Sequence, residues 1–254
     1  MKEPTPSDNT NERPAFTHPL KLADYGNYRL REFDTEMNQN HIIRPIKGVT
    51  NDIRLDTTRR HEIYEELEKE GENLSKHVKE FIDAGIMVPP CYFVVGDNDK
   101  NTPILFQTIA KVEGTRLSFV DNIEFTTDRS KEEFTEQFAL LINSLIKYLK
   151  NKIESQSDFP DDIFHLKQYV FGNIDKDKSK KIYLVDAEPT YIEEWISHPA
   201  NVAYALLDIE LMIQTMGKRI GSDHILDTQK KLDDFIAGLS NEYQLEYKKL
   251  GKSM

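Results

Sequence analysis

A single cysteine, Cys91, stands in 254 residues. An intrachain disulfide is therefore excluded, and cysteine usage gives no sign of an oxidising compartment. Cys91 follows Pro89-Pro90, opens an apolar run and has no neighbouring cation to stabilise a thiolate, so it reads as a buried structural thiol. Cys/His spacing of the metal-ligand type is missing, as is any internal repeat. No window approaches the roughly 18 apolar residues that a bilayer-spanning helix needs. Residues 1–14 are polar and lack the apolar core of a signal peptide. They read as a disordered start, residues 1–15, on a soluble cytoplasmic protein. Positive charge is also short: 33 Lys and Arg stand against 44 Asp and Glu, for a net charge of -11. That balance argues against a broad nucleic-acid footprint. It leaves room for a nucleotide, because a few local cations and a metal can hold phosphates inside an acidic protein.

What is present is ordinary for a globular chain, with 38% hydrophobic and 30% charged residues. The length suits one large domain or two small lobes around a cleft. From about Phe16 to Val49 short strands alternate with turns; Leu20-Lys21-Leu22 and Tyr28 to Phe33 flank Asp24-Tyr25-Gly26-Asn27. His41 to Val49 reads as a strand interrupted by Pro45, which suits an edge. From Thr57 to Ala84 the period turns helical, with Ile63, Leu67, Leu74, Val78 and Phe81 on one face. Glu70 falls on that same face, where a carboxylate is costly without a partner. Gly85 ends the helix. Cys91 to Val95 and Ile104 to Ala110 read as a hairpin around a turn at Gly96 to Asn101.

The second half is mainly helical. Ser130 and Glu133 carry a capping-box signature, and Phe134, Phe138, Leu141, Leu145, Tyr148 and Leu149 then form an apolar stripe. Two short apolar segments follow, Gln168-Tyr169-Val170-Phe171-Gly172-Asn173 and Ile182 to Glu188, separated by a polar turn at Asp175 to Lys180. Val202 to Met216 is apolar on nearly every side, with Asp208 and Glu210 as its only charges, and belongs at the centre of a lobe. Leu226 to Leu239 and Glu242 to Leu250 read as amphipathic closing helices.

Four segments in this order carry a resemblance: Gly85-Ile86-Met87-Val88-Pro89, Ile104 to Leu117, Phe171-Gly172-Asn173-Ile174, and Leu184-Val185-Asp186-Ala187-Glu188. Together, over about residues 16–217, they resemble the kinase-like phosphotransferases, the aminoglycoside, choline and homoserine kinases and their relatives. The resemblance implies an α+β, two-lobed protein-kinase-like fold. Residues 16–112 would form a small antiparallel-sheet lobe with one helix, and residues 113–254 a mainly helical lobe. It implies ATP and Mg2+ as cofactors, with Asn173 and Asp186 as metal ligands and Glu188 beside a second ion or a metal-bound water. Ile109 and Lys111 would line the adenine side. A cation from the strand before the helix would hold phosphate: Lys47, with Arg44 the alternative. Its partner would be Glu70, or Glu66 one turn earlier.

Two departures stand out. Gln168 occupies the place of the family's catalytic aspartate, and a glutamine cannot accept a proton at neutral pH. His165, Asp161 and Asp162 lie just upstream, with His165 read as a structural hydrogen-bonder. Gly26 is the lone glycine of the first hairpin, so a glycine-rich phosphate loop is thin. The expected function is thus an ATP- and magnesium-binding kinase-like protein, in its active form an atypical small-molecule phosphotransferase; the alternative is a pseudokinase, a binding or scaffold module without chemistry. Its partners would be a nucleotide and a small-molecule or protein substrate, with no nucleic acid and no membrane.

Overall fold

Strand-period and helix-period segments alternate along the chain much as their apolar patterns require. The computed structural model describes residues 22–25, 28–31, 41–48, 57–98, 103–160, 162–174, 179–185 and 197–252; the first three stretches and residues 57, 58, 97, 98, 120 and 122 are described by backbone alone. The elements are β1 (Leu22–Tyr25), β2 (Tyr28–Arg31), β3 (His41–Gly48), α1 (Thr57–Ala84), β4 (Cys91–Asn98), β5 (Pro103–Ala110) and β6 (Val112–Arg116). They continue with α2 (Asp128–Ser155), β7 (Tyr169–Ile174), β8 (Lys181–Leu184), α3 (His198–Ile220), α4 (Leu226–Gly238) and α5 (Asn241–Gly251). The class is α+β, with five α-helices and two antiparallel sheets among the described residues. No helix among the described residues is long and apolar enough to cross a membrane.

The first sheet runs β1-β2-β4-β5-β3. β3 takes an edge, where Pro45 and its missing N–H do least harm to the ladder. Its pairing with β5 shifts by one residue between Pro45 and Lys47. β4 does not turn at Gly96 as expected. Gly96 is buried opposite Ile104, and the strand continues to Asn98. Cys91 is half-buried against the core rather than fully buried.

α1 packs on this sheet with its middle and on the helices with its end. Leu67 and Leu74 join Leu105 in one small apolar cluster. Val78, Phe81 and Ala84 join the large cluster built mainly from α2 and α3. Between Leu67 and Leu74 the helix comes close to the sheet at Gly71, where an added Cβ would lie 3.2 Å from Leu105 Cδ1 and 3.3 Å from Phe93 Cβ. Gly85 then closes α1 at φ 99°, with its N–H on Ile82 O and the Ile86 N–H on Phe81 O. These two bonds satisfy carbonyls that the helix end leaves open. A Cβ at this position would also meet Ser144 Oγ at 2.9 Å. Gly85→Ala is expected to cost about 2 kcal/mol through backbone strain alone. Thermal unfolding should show a melting point lower by about 4–8 °C. An unchanged midpoint would refute the strained-cap account.

α2 begins three residues earlier than its signature implied. Thr127 is the N-cap: its side chain accepts from the Ser130 N–H at 3.1 Å, and Ser130 Oγ accepts from the Thr127 N–H at 3.2 Å. Ser130 is the third residue of the reciprocal box, and Glu133 pairs instead with Arg129 at 3.1 Å. The expected stripe from Phe134 to Leu149 is buried throughout. α3 is central as expected, except that Tyr204 and Leu211 leave one stripe open to solvent. Of the two charges between Val202 and Met216, Glu210 anchors α5 by accepting from Tyr247 Oη at 2.7 Å. Burial and then this bond push the Tyr247 hydroxyl above its ordinary range. The second sheet, β6-β7-β8, lies beside the helices and brings Gly114 opposite Gly172.

Candidate functional site

The sheet side of the candidate site is set by the β3–β5 register. Arg44 lies opposite Gln107, and Lys47 lies opposite Leu105. Leu105 is on the α1-covered face, and Gln107, two residues on, shares it. The one-residue shift thus sets positions 44 and 47, three apart, both opposite residues of that face. A regular strand does not do this. Glu70 precedes Gly71, the point of closest approach to the sheet, and is half-buried; Glu66 is exposed. Of the two candidate carboxylates, Glu70 is the one at the helix–sheet contact. Ile109 is buried in β5 between Ile42 and Cys91. Lys111 is exposed where the chain passes from the first sheet to the second, 3.9 Å from Glu113.

The hairpin that was to supply phosphate contacts is not beside β3. Gly26 lies outside the described residues, but β2, which follows it, pairs with β4. β2 and β3 are therefore three strand spacings apart, about 14 Å at about 4.8 Å each.

The second half of the site centres on Gln168. This residue is 5% exposed and donates from Nε2 to Asp162 Oδ2 at 3.3 Å. Asp162 is 8% exposed. The two are held by a double turn in which the His165 N–H reaches Asp162 O and the Gln168 N–H reaches His165 O. His165 Nε2 lies 3.3 Å from Asp208 Oδ2, tying the turn to α3. Tyr169 Oη donates to Ile163 O at 2.6 Å. Burial, and then the Asp162 charge, push its hydroxyl far above the ordinary range, so it stays protonated.

The stretch from Gln168 to Asn173 is not a loop. After Gln168 it is β7, paired on one side with β6 and on the other with β8. Asn173 is half-buried opposite Glu113, near the far end of the strand. Asp186 and Glu188 lie outside the described residues. The chain enters Asp186 from Val185, whose N–H donates to Gln168 O at 2.9 Å. Five residues of strand, roughly 16 Å, separate that point from Asn173. The register therefore does not bring Asn173 to the end of β8. It brings Gln168 there, with Asp162 behind it, and these offer an amide and a carboxylate, hard oxygens of the kind magnesium takes. Among the described residues no three His, Cys, Asp or Glu side chains are grouped to hold a metal ion.

Asp208 is the participant that the motif argument passed over. Its signal was present: it is one of only two charges in the apolar stretch from Val202 to Met216, and a carboxylate so placed needs a partner. His165, read as a structural hydrogen-bonder, is that partner. No protein-family model, no curated protein and no solved structure matches the chain.

Proposed function

We propose that this chain is a kinase-like protein that binds ATP and magnesium, with its cation site at the junction of Gln168 and Val185. The observation that carries the reading is the Val185–Gln168 backbone bond, which fixes a buried amide and carboxylate beside the entry to Asp186. The order of elements supports it: sheet, single helix, hairpin, long helix, two short strands, apolar helix. In this reading Asp162 and Gln168 would offer oxygens to the ion, and Asp186 would join them as a ligand. Glu70 and the β3 cation positions serve the phosphates from the sheet side. Magnesium, when bound, neutralises charge on the phosphates.

A second reading, a pseudokinase, is favoured by the Gln168 amide occupying Asp162 and by the hairpin's distance from β3. The test separates them. With ATP at about a hundred times its Kd, a ligand selective for the folded state adds about 2.7 kcal/mol, a rise of about 5–10 °C in melting temperature. The rise should require magnesium and vanish in Asp186→Ala and Asp162→Asn. ATP turnover in the wild type selects the enzyme; binding without turnover selects the pseudokinase. No magnesium-dependent shift at any ATP concentration rejects both nucleotide readings.

A further inference from the structure

α5 has 11 residues, of which Tyr243 is buried, and Leu245 is 66% exposed. Helices shorter than about 12–15 residues are marginal by themselves in water, so α5 is helical only while it is docked. Two tyrosines one turn apart dock it. Tyr243 Oη lies 3.0 Å from Gln156 Nε2, at the end of α2, and 3.2 Å from His198 Nδ1, at the start of α3. Tyr247 Oη donates to Glu210 at 2.7 Å. His198 and Glu210 are 210 - 198 = 12 residues apart, about 18 Å along α3. Gln244 Nε2 adds bonds to Ala237 O and Leu239 O, across the short joint from α4.

The neighbours of Tyr243 fix the sense of its hydrogen bonds. Ile153 O can only accept, so the Gln156 atom 2.9 Å from it is the amide nitrogen. The other hydrogen of that nitrogen goes to Tyr243 Oη, which leaves the phenol its own hydrogen for His198 Nδ1. His198 then accepts at Nδ1 and carries its proton on Nε2. Nε2 is buried without a partner among the described residues, so the phenol is the group that selects this form. Ser197, the N-cap of α3, makes no side-chain cap bond, and the first turn therefore leans on His198.

An element with few buried apolar side chains opens ahead of its neighbours. We infer that α5 is a strap that opens from the helical cluster as one unit, and that Tyr243 carries its opening to His198 and the first turn of α3. The chain that leaves the second sheet at Val185 rejoins the described structure there, at Ser197. Control of the Asp186 site through this strap rests on the proposed function above; the strap itself does not.

Hydrogen exchange of the full-length, nucleotide-free protein tests it. Tyr247→Phe removes a hydroxyl bonded 12 residues away from His198. It should nevertheless accelerate exchange about fivefold both across residues 243–250 and at Asn201, whose N–H donates to Ser197 O, while α2 and the rest of α3 keep their protection. Tyr243→Phe should give the same pattern. Both variants keep the ring and its packing. In the wild type, imidazole 15N shifts should show His198 protonated on Nε2, and Tyr243→Phe should release it from that single form. Acceleration by Tyr247→Phe that stops within α5, that spreads evenly through α2 and α3, or that is missing altogether overturns the inference. So does a wild-type His198 with its proton on Nδ1. Because no nucleotide is present, failure here leaves the proposed function standing, and a failed ATP shift leaves the strap standing.

Discussion

Gly172→Ala is expected to cost about 3–5 kcal/mol, at the upper end of single-substitution effects. A Cβ at 172 would lie 2.2 Å from Glu113 O and 2.8 Å from Gly114 Cα. A Cβ at 114 would meet Phe171 O at 2.1 Å and Gly172 Cα at 2.6 Å. The obstacles are backbone atoms, which have no rotamer to escape into. The two glycines face each other in register, so a methyl group on either one forces β6 and β7 apart. Separation opens the ladder from Val112 to Arg116 and leaves backbone N–H and C=O groups of the buried strand β7 without their partners. It also pulls on Phe171, whose ring packs edge-on against Phe134. Urea unfolding checks this through the midpoint. A value within about 0.5 kcal/mol of wild type would show that the strands yield freely. The double variant with Gly114→Ala should cost less than the sum, because both methyl groups contend for one gap.

That pair of glycines also shows where the sequence stops being informative. Gly172-Asn173 reads locally as a loop, because glycine followed by asparagine is common turn chemistry. Its reason lies in Gly114, 172 - 114 = 58 residues earlier, and no local pattern reports a contact at that range. The helices were legible because a 3.6-residue period is a local property: the faces of α1 and α2 emerge as their apolar stripes imply. The site was legible only in part. Gln168 stood out as a departure from the family pattern, and Pro45 marked an irregular β3. The register that sets Gln168, not Asn173, beside Val185 is a choice among strand pairings that the apolar pattern leaves equal. Asp208 was visible as a lone charge, but its partner was not, because His165 reaches it across the fold.

Phe134→Ala is the second large effect, expected at about 4 kcal/mol. Phe134 is fully buried, and its ring lies 5.0 Å from Phe171, 5.4 Å from Phe125 and 6.4 Å from Phe138. The 86° approach to Phe171 is the edge-to-face geometry that adds about 0.5–1.5 kcal/mol beyond area burial. The cost depends on whether the neighbours can fill the hole, and here each is held from a different side. Phe138 is on the same helix, and Phe171 is in a strand paired on both edges. Phe125 lies under the Arg219 guanidinium at 5.4 Å, and Arg219 Nη2 donates to Ile123 O at 2.6 Å. Collapse is therefore limited, and the melting temperature should fall by about 8–16 °C. Phe119, 59% exposed, is the control: its alanine variant should stay within about 0.5 kcal/mol of wild type. Phe134→Ala and Gly172→Ala should not add, since both act on the seating of Phe171. Full additivity would mean that β7 holds its place without the helix beneath it.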